Sequence, residues 1–176
     1  MKAARFAVCA AAMMCCVPLT AFGDQLQLLD GTWVIDALKT AEHIKKIGPP
    51  SHNAEWLSSI VLRQCVTTMT FEGGSMILDP ISPAPMAQPF QLEPQPDKKW
   101  TYTVATADGG KDTLTVSFLN SENITVKSAK VALDEYGVWR RGKRPNRQTA
   151  EQDFKQAFDT CASAIDNVPF IKAKAR

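Results

Sequence analysis

The stretch WTYTVATADGGKDTLTVSF, residues 100–118, decides the fold class of this chain. Trp100, Tyr102 and Val104 alternate with Thr101 and Thr103. After the turn signal Asp108-Gly109-Gly110, Leu114, Val116 and Phe118 alternate with Thr113, Thr115 and Ser117. A side-chain period of two places the apolar groups on one face, so the segment reads as an antiparallel hairpin with one buried and one solvated side. A lone hairpin cannot hide that face, so neighbouring segments must supply more strands.

They do so on both sides. Met69 and Phe71 alternate with Thr68, Thr70 and Glu72 in a strand beginning at residue 66, and Gly73-Gly74 turns it into a partner over 75–79. Downstream, 123–128 and 136–143 add two strands with no helix between them. The first strand is LDGTWVID, residues 29–36. After it the period changes: Ala37, Leu38, Ala41, Ile44 and Ile47 recur at helical spacing, with Asp36 placed as the cap and Gly48-Pro49-Pro50 as the stop. A second helix follows Ser51 and carries Ala54, Leu57, Val61 and Cys65 on its apolar stripe. Near the C-terminus, Thr149 and Gln152 read as a capping box opening a last helix, whose inward stripe is Ala150, Phe154, Phe158, Cys161 and Ile165. Residues 80–96 hold six prolines and read as an extended surface loop, with 89–93 offering no more than a short edge segment.

Seven or eight strands with one apolar face must either curl into a barrel or rest on helices. Three modest helices are too small to cover a flat sheet of that width. The expected fold is therefore mainly β: an antiparallel barrel of seven to eight strands, with a helix pair after the first strand and a helix at the end. One domain over residues 24–176 accommodates it.

Residues 1–23 read as a secretory signal, with Lys2 and Arg5 at the positive end, an apolar middle over 6–19, and Ala21-Phe22-Gly23 as the small-x-small cleavage site. The expected location is periplasmic or secreted, with the mature chain starting at Asp24. The whole chain has 20 basic and 18 acidic residues, so losing Lys2 and Arg5 leaves the charges balanced, which argues against a nucleic-acid partner. Beyond the leader nothing approaches the roughly 20 apolar residues of a membrane span. Three of the five cysteines lie in the leader, and the remaining two, Cys65 and Cys161, are expected to pair in an oxidising compartment.

Gly31-Thr32-Trp33 on the first strand, with Trp139-Arg140-Arg141 on the last, resembles the Gly-x-Trp and closing arginine of the lipocalin-like (calycin) barrels, over residues 29–144. In those families the Trp plugs the barrel floor and the Arg packs across it, a guanidinium on an aromatic face. The helix pair is similar to that of the fatty-acid-binding branch, and the final helix to that of the lipocalins. The proline-rich insertion and the cysteine pattern depart from both. The resemblance implies closure by Gly31, Trp33, Arg140 and Arg141, and a small apolar ligand or lipid inside the barrel. The residues placed to line it are Trp33, Met69, Phe71, Met76, Trp100, Tyr102, Leu114, Val116 and Phe118, with Leu78 beside them. Such a set lines an adaptable pocket or equally fills a small barrel solidly.

No enzyme class stands out. His43 and His52 are nine apart without a partner at metal-ligand spacing, so no metal site is expected. Gly73-Gly74-Ser75 sits in a hairpin and not in a strand-to-helix elbow, and Asp134-Glu135 reads as a solvated turn. No cofactor motif is present. Arg140, Arg141, Lys143, Arg144 and Arg147 crowd the end of the last strand, either paired with nearby acids or forming a patch for anionic headgroups or an acidic protein surface. Two functions follow. One is an exported, non-catalytic carrier of a small hydrophobic ligand. The other is an envelope interaction or inhibitory module with a packed core, acting through the proline-rich loop and the basic strand end.

Overall fold

The computed structural model describes residues 26–48, 54–84, 86–106, 108–129, 131 and 133–169. Residues 1–23, on which the expected leader and cleavage site fall, and Pro49, Pro50, Ser51 and His52 lie outside the described residues. Eight antiparallel strands follow one another round a closed barrel in chain order. They are β1 (Gly31–Ile35), β2 (Thr67–Glu72), β3 (Ser75–Pro80), β4 (Gln88–Pro94), β5 (Thr101–Ala105), β6 (Lys111–Phe118), β7 (Asn123–Lys127) and β8 (Val138–Arg141). β1 pairs with β2 on one side and β8 on the other, which closes the ring and leaves no sheet edge. Gly73 and Gly74, at φ 56° and 80°, make the β2–β3 turn; a two-residue hairpin loop with both residues left-handed favours glycine at each.

The proline-rich stretch corrects the sequence reading. Residues 88–94 form a full barrel strand between β3 and β5 instead of a surface loop. The ladder tolerates its prolines because the two pairings are staggered: Gln88 to Gln91 pair with β3, and Leu92 to Pro94 pair with β5. Leu92 donates its N–H to Gly74 O, so even-numbered amides of β4 point towards β3 and odd-numbered ones towards β5. Pro89 therefore lacks a donor where β5 has not begun, and Pro94 lacks one where β3 has ended. Phe90 and Leu92, absent from the predicted inward set, are buried in the barrel core.

Three longer helices accompany the barrel among the described residues, besides a helical turn over 26–29: α1 (Ala37–Ile47), α2 (Ala54–Cys65) and α3 (Ala150–Ile165). Asp36 caps α1 as expected, its carboxylate accepting from Lys39 N–H at 3.0 Å, and Gly48 ends it by donating to Ile44 O. Ala41, Ile44, Leu57, Val61, Cys65, Cys161 and Ile165 belong to a second core between the helices, and α3 packs on both α1 and α2. Ile35, at the end of β1, touches both cores, so the helical layer sits at that end of the barrel. The predicted Cys65–Cys161 disulfide is present and ties α3 to α2.

Two expectations for α3 fail. Thr149 makes no side-chain cap; its hydroxyl donates instead to Asp153 Oδ2 at 2.8 Å. Phe154 and Phe158 are not on the buried stripe: they are 41% and 38% exposed and stack on each other at 6.2 Å. The seam of α3 runs through the small residues Cys161 and Ala164 and through Ile165, and close approach there leaves the two rings at its margin.

Candidate functional site

Among the described residues, most inward side chains of the barrel pack into one core. Trp33, Met69, Phe71, Met76, Tyr102, Leu114 and Val116, all predicted to face inward, meet in one cluster with almost no accessible surface. A side chain with zero accessible surface is packed on all sides, and Trp33, Met69, Met76, Leu114 and Ile124 are at zero; Trp139, also at zero, stands beside a small pocket of about 60 Å³ lined as well by Gln64, Leu78, Val131 and Leu133. These residues are therefore closely packed at their positions. Trp100 and Phe118 are only half-buried and pack on each other at 4.6 Å at the margin of that core. Trp100 has φ 59°, a left-handed turn into β5 that takes it out of the predicted strand alternation, although its carbonyl still accepts from Val116 N–H. Sequence reasoning missed Trp139, Ile124 and Val126 as interior residues; the alternation of Ile124 and Val126 with Thr125 was the available signal. The Tyr102 hydroxyl has no hydrogen-bond partner among the described residues, and burial pushes its pKa up to about 12.

The opposite end from the helices is closed by Trp33 and Arg141. Arg141 lies over the Trp33 ring with its guanidinium carbon 4.2 Å from the centroid. Its nitrogens donate to the carbonyls of Leu28 and Leu29, at the end of a helical turn over 26–29, and of Asp30 just after it, and Trp33 Nε1 donates to the same Leu29 O at 2.7 Å. Burial lowers the Arg141 pKa while Asp30 raises it. Gly31 makes room for this arrangement: at φ 116°, an added Cβ would lie 2.8 Å from Arg141 Nη1. Arg140 plays no part in it. It points elsewhere, with Nε 3.9 Å from Asp36 Oδ2.

The basic strand end is largely neutralised in place. Besides these two arginines, Arg144 pairs with Glu72 at 3.1 Å and Arg147 with Asp79 at 3.6 Å. Lys143 is the one cation of the five without a described pairing or stacking partner. This leaves a dispersed set of surface pairs and no concentrated field.

The largest opening among the described cavities is a cleft of about 530 Å³ between the barrel wall and α3. Val34 and Thr68 supply the wall, Leu38 and Asp36 the start of α1, and Ala157 and Gln156 the overhanging half of α3; the Cys65–Cys161 bridge also lines it. Ile81 from the proline-rich stretch and Arg140 from the basic strand end both reach it, so two segments distant in sequence share one surface. Leu38 is 71% exposed there, and the Phe154–Phe158 stack stands on α3. Among the described residues no group of three or more His, Cys, Asp or Glu is placed to hold a metal. No helix among them is long and apolar enough to cross a membrane.

Compared with protein-family models, with curated proteins and with solved structures, the chain matches none. The fold and the cleft therefore carry the functional reading.

Proposed function

We propose that this chain is an exported, non-catalytic interaction module: a solid lipocalin-like barrel serving as a scaffold, with a segment of a partner protein seated in the cleft under α3. One observation carries the reading, namely a closely packed barrel beside an open cleft that joins Ile81 and Arg140 to the apolar side chains Val34, Leu38 and Ala157. A carrier shields its cargo from water, whereas an open cleft with apolar residues, an arginine and exposed aromatics nearby offers the anchor types that protein interfaces favour. The disulfide and the signal-like residues 1–23 support export.

A photo-crosslinking amino acid at Gln156 or Leu38, introduced in the native host, tests the proposal. The expected product is one discrete protein adduct that is absent when the same group is placed at Lys127 on β7. Absence of any adduct from the cleft positions, or identical adducts from all three, defeats it.

A second reading rests on the cleft's volume, which lies within the roughly 300–1,000 Å³ of small-molecule sites. It is a small apolar ligand held in the cleft. Native mass spectrometry of freshly purified protein separates the two, because only the second predicts a co-purifying mass, which Ala157→Arg then displaces.

A further inference from the structure

A separate pocket of about 280 Å³ lies between α1 and the turn that enters β7. Lys39, His43 and Lys46 line it from α1 at i, i+4 and i+7, and Asn120 and Asn123 line it from the β6–β7 side. Among the described residues neither lysine has an acidic partner within ion-pair distance, in contrast to Arg144 and Arg147 of the strand end. Glu42 is the one acid among the lining residues, so the lysines outnumber it.

Asn123 is 1% exposed. Its Oδ1 accepts from Lys39 Nζ at 2.6 Å, while its Nδ2 has no acceptor among the described residues. A buried amide N–H without a partner is costly, and an acceptor that reaches it by a small side-chain shift at the pocket wall relieves that cost. Asn120 spends its Oδ1 on the N–H groups of Glu122 and Asn123, both at 2.9 Å, which fixes the turn and leaves its amide with only donors to offer. His43 contributes an N–H in either tautomer. The pocket thus collects two ammonium groups and several N–H donors around one unmet donor, an arrangement complementary to an oxyanion. Its volume admits the anion together with part of the group that carries it.

We propose that this pocket binds a phosphate group, either as a soluble phosphomonoester or as a phospholipid headgroup. The site is independent of the cleft and stands or falls separately from it.

The test is a ¹H–¹⁵N NMR titration of the purified protein with inorganic phosphate, with glycerol phosphate, and with phosphatidylglycerol–phosphatidylcholine vesicles, with pure phosphatidylcholine vesicles as the control. Saturable shifts at the amides of Lys39, His43, Asn120 and Asn123 are expected, with binding about tenfold weaker in the K39Q/K46Q variant. Both substitutions are at exposed positions, and unchanged peaks elsewhere confirm that the variant is folded. Saturation by the soluble phosphates alone assigns a soluble ligand; binding to the phosphatidylglycerol vesicles alone assigns a headgroup. Linear shifts spread over all surface lysines, or undiminished binding by K39Q/K46Q, overturn the proposal.

Discussion

Replacing Cys65 and Cys161 together by Ala removes a cross-link between residues 96 apart in sequence. A bridge of that span restricts the unfolded chain, and the loop-entropy relation puts the stability lost with it at about 4.7 kcal/mol. Both residues are buried in the helical core, and Ala occupies either site without a clash, so the native fold should survive the change. For a chain of this size the loss corresponds to a melting temperature lower by about 10–18 °C. Urea unfolding followed by tryptophan fluorescence measures it, because Trp33 and Trp139 are fully buried. The effect resides in the unfolded state, so the variant should also show a steeper dependence on urea, since the uncrosslinked chain exposes more surface. A loss below about 1 kcal/mol, or an unchanged urea slope, refutes the chain-entropy reasoning. Hydrogen exchange gives a local check: α3 should exchange faster than the strands in the variant, because it packs on α1 and α2 beside the bridge while the barrel closes without it.

Tyr102→Phe should raise stability at neutral pH by about 1 kcal/mol, since it deletes a buried hydroxyl that has no partner. The Tyr102 pKa is about 12 in the folded chain against an ordinary 10.0, so the unfolded chain ionises first and the wild type loses stability as pH rises between those values. The gap to the Phe variant should widen over that range by about 2–3 kcal/mol in denaturant titrations, and a constant gap would contradict the burial. Arg141→Met should cost about 2 kcal/mol through the lost carbonyl partners and ring contact, whereas Arg140→Met should cost under about 0.5 kcal/mol; comparable losses in thermal unfolding would be evidence against the floor described above. Phe90→Ala should cost about 3 kcal/mol by urea titration if the proline-rich segment is a core strand, and a near-silent substitution would return it to a surface loop.

The architecture was legible because its signals are local. Alternation in 100–118, the Gly73-Gly74 turn, the Asp36 cap and the helical spacing after it each act within a few residues, and short connections leave antiparallel neighbours as the economical topology. The Cys65–Cys161 pairing was legible from cysteine count and the expected compartment. Strand β4 was hidden because the rule that keeps proline out of central strands assumes a neighbour on each side at every residue. The stagger that removes that conflict at Pro89 and Pro94 is a relation between three strands and has no trace in the segment itself. Phe154 and Phe158 fit the helical period but lie at the margin of a seam whose position is set by the small residues and the disulfide.

The sequence by itself determined that greasy residues gather on one face of a closed sheet, because that pattern follows from the two-residue period of a strand. Only the tertiary structure decided how closely the enclosed centre is packed. That outcome depends on the summed volume of side chains arriving from all eight strands, including Phe90 and Trp139, which no local reading had counted. The same holds for the surface: whether Arg140 or Arg141 covers Trp33, and which acids take up the remaining arginines, is fixed by cross-strand register and by distances across the fold. Ile81 and Arg140 meet at one cleft because barrel closure places β8 and β2 on either side of β1.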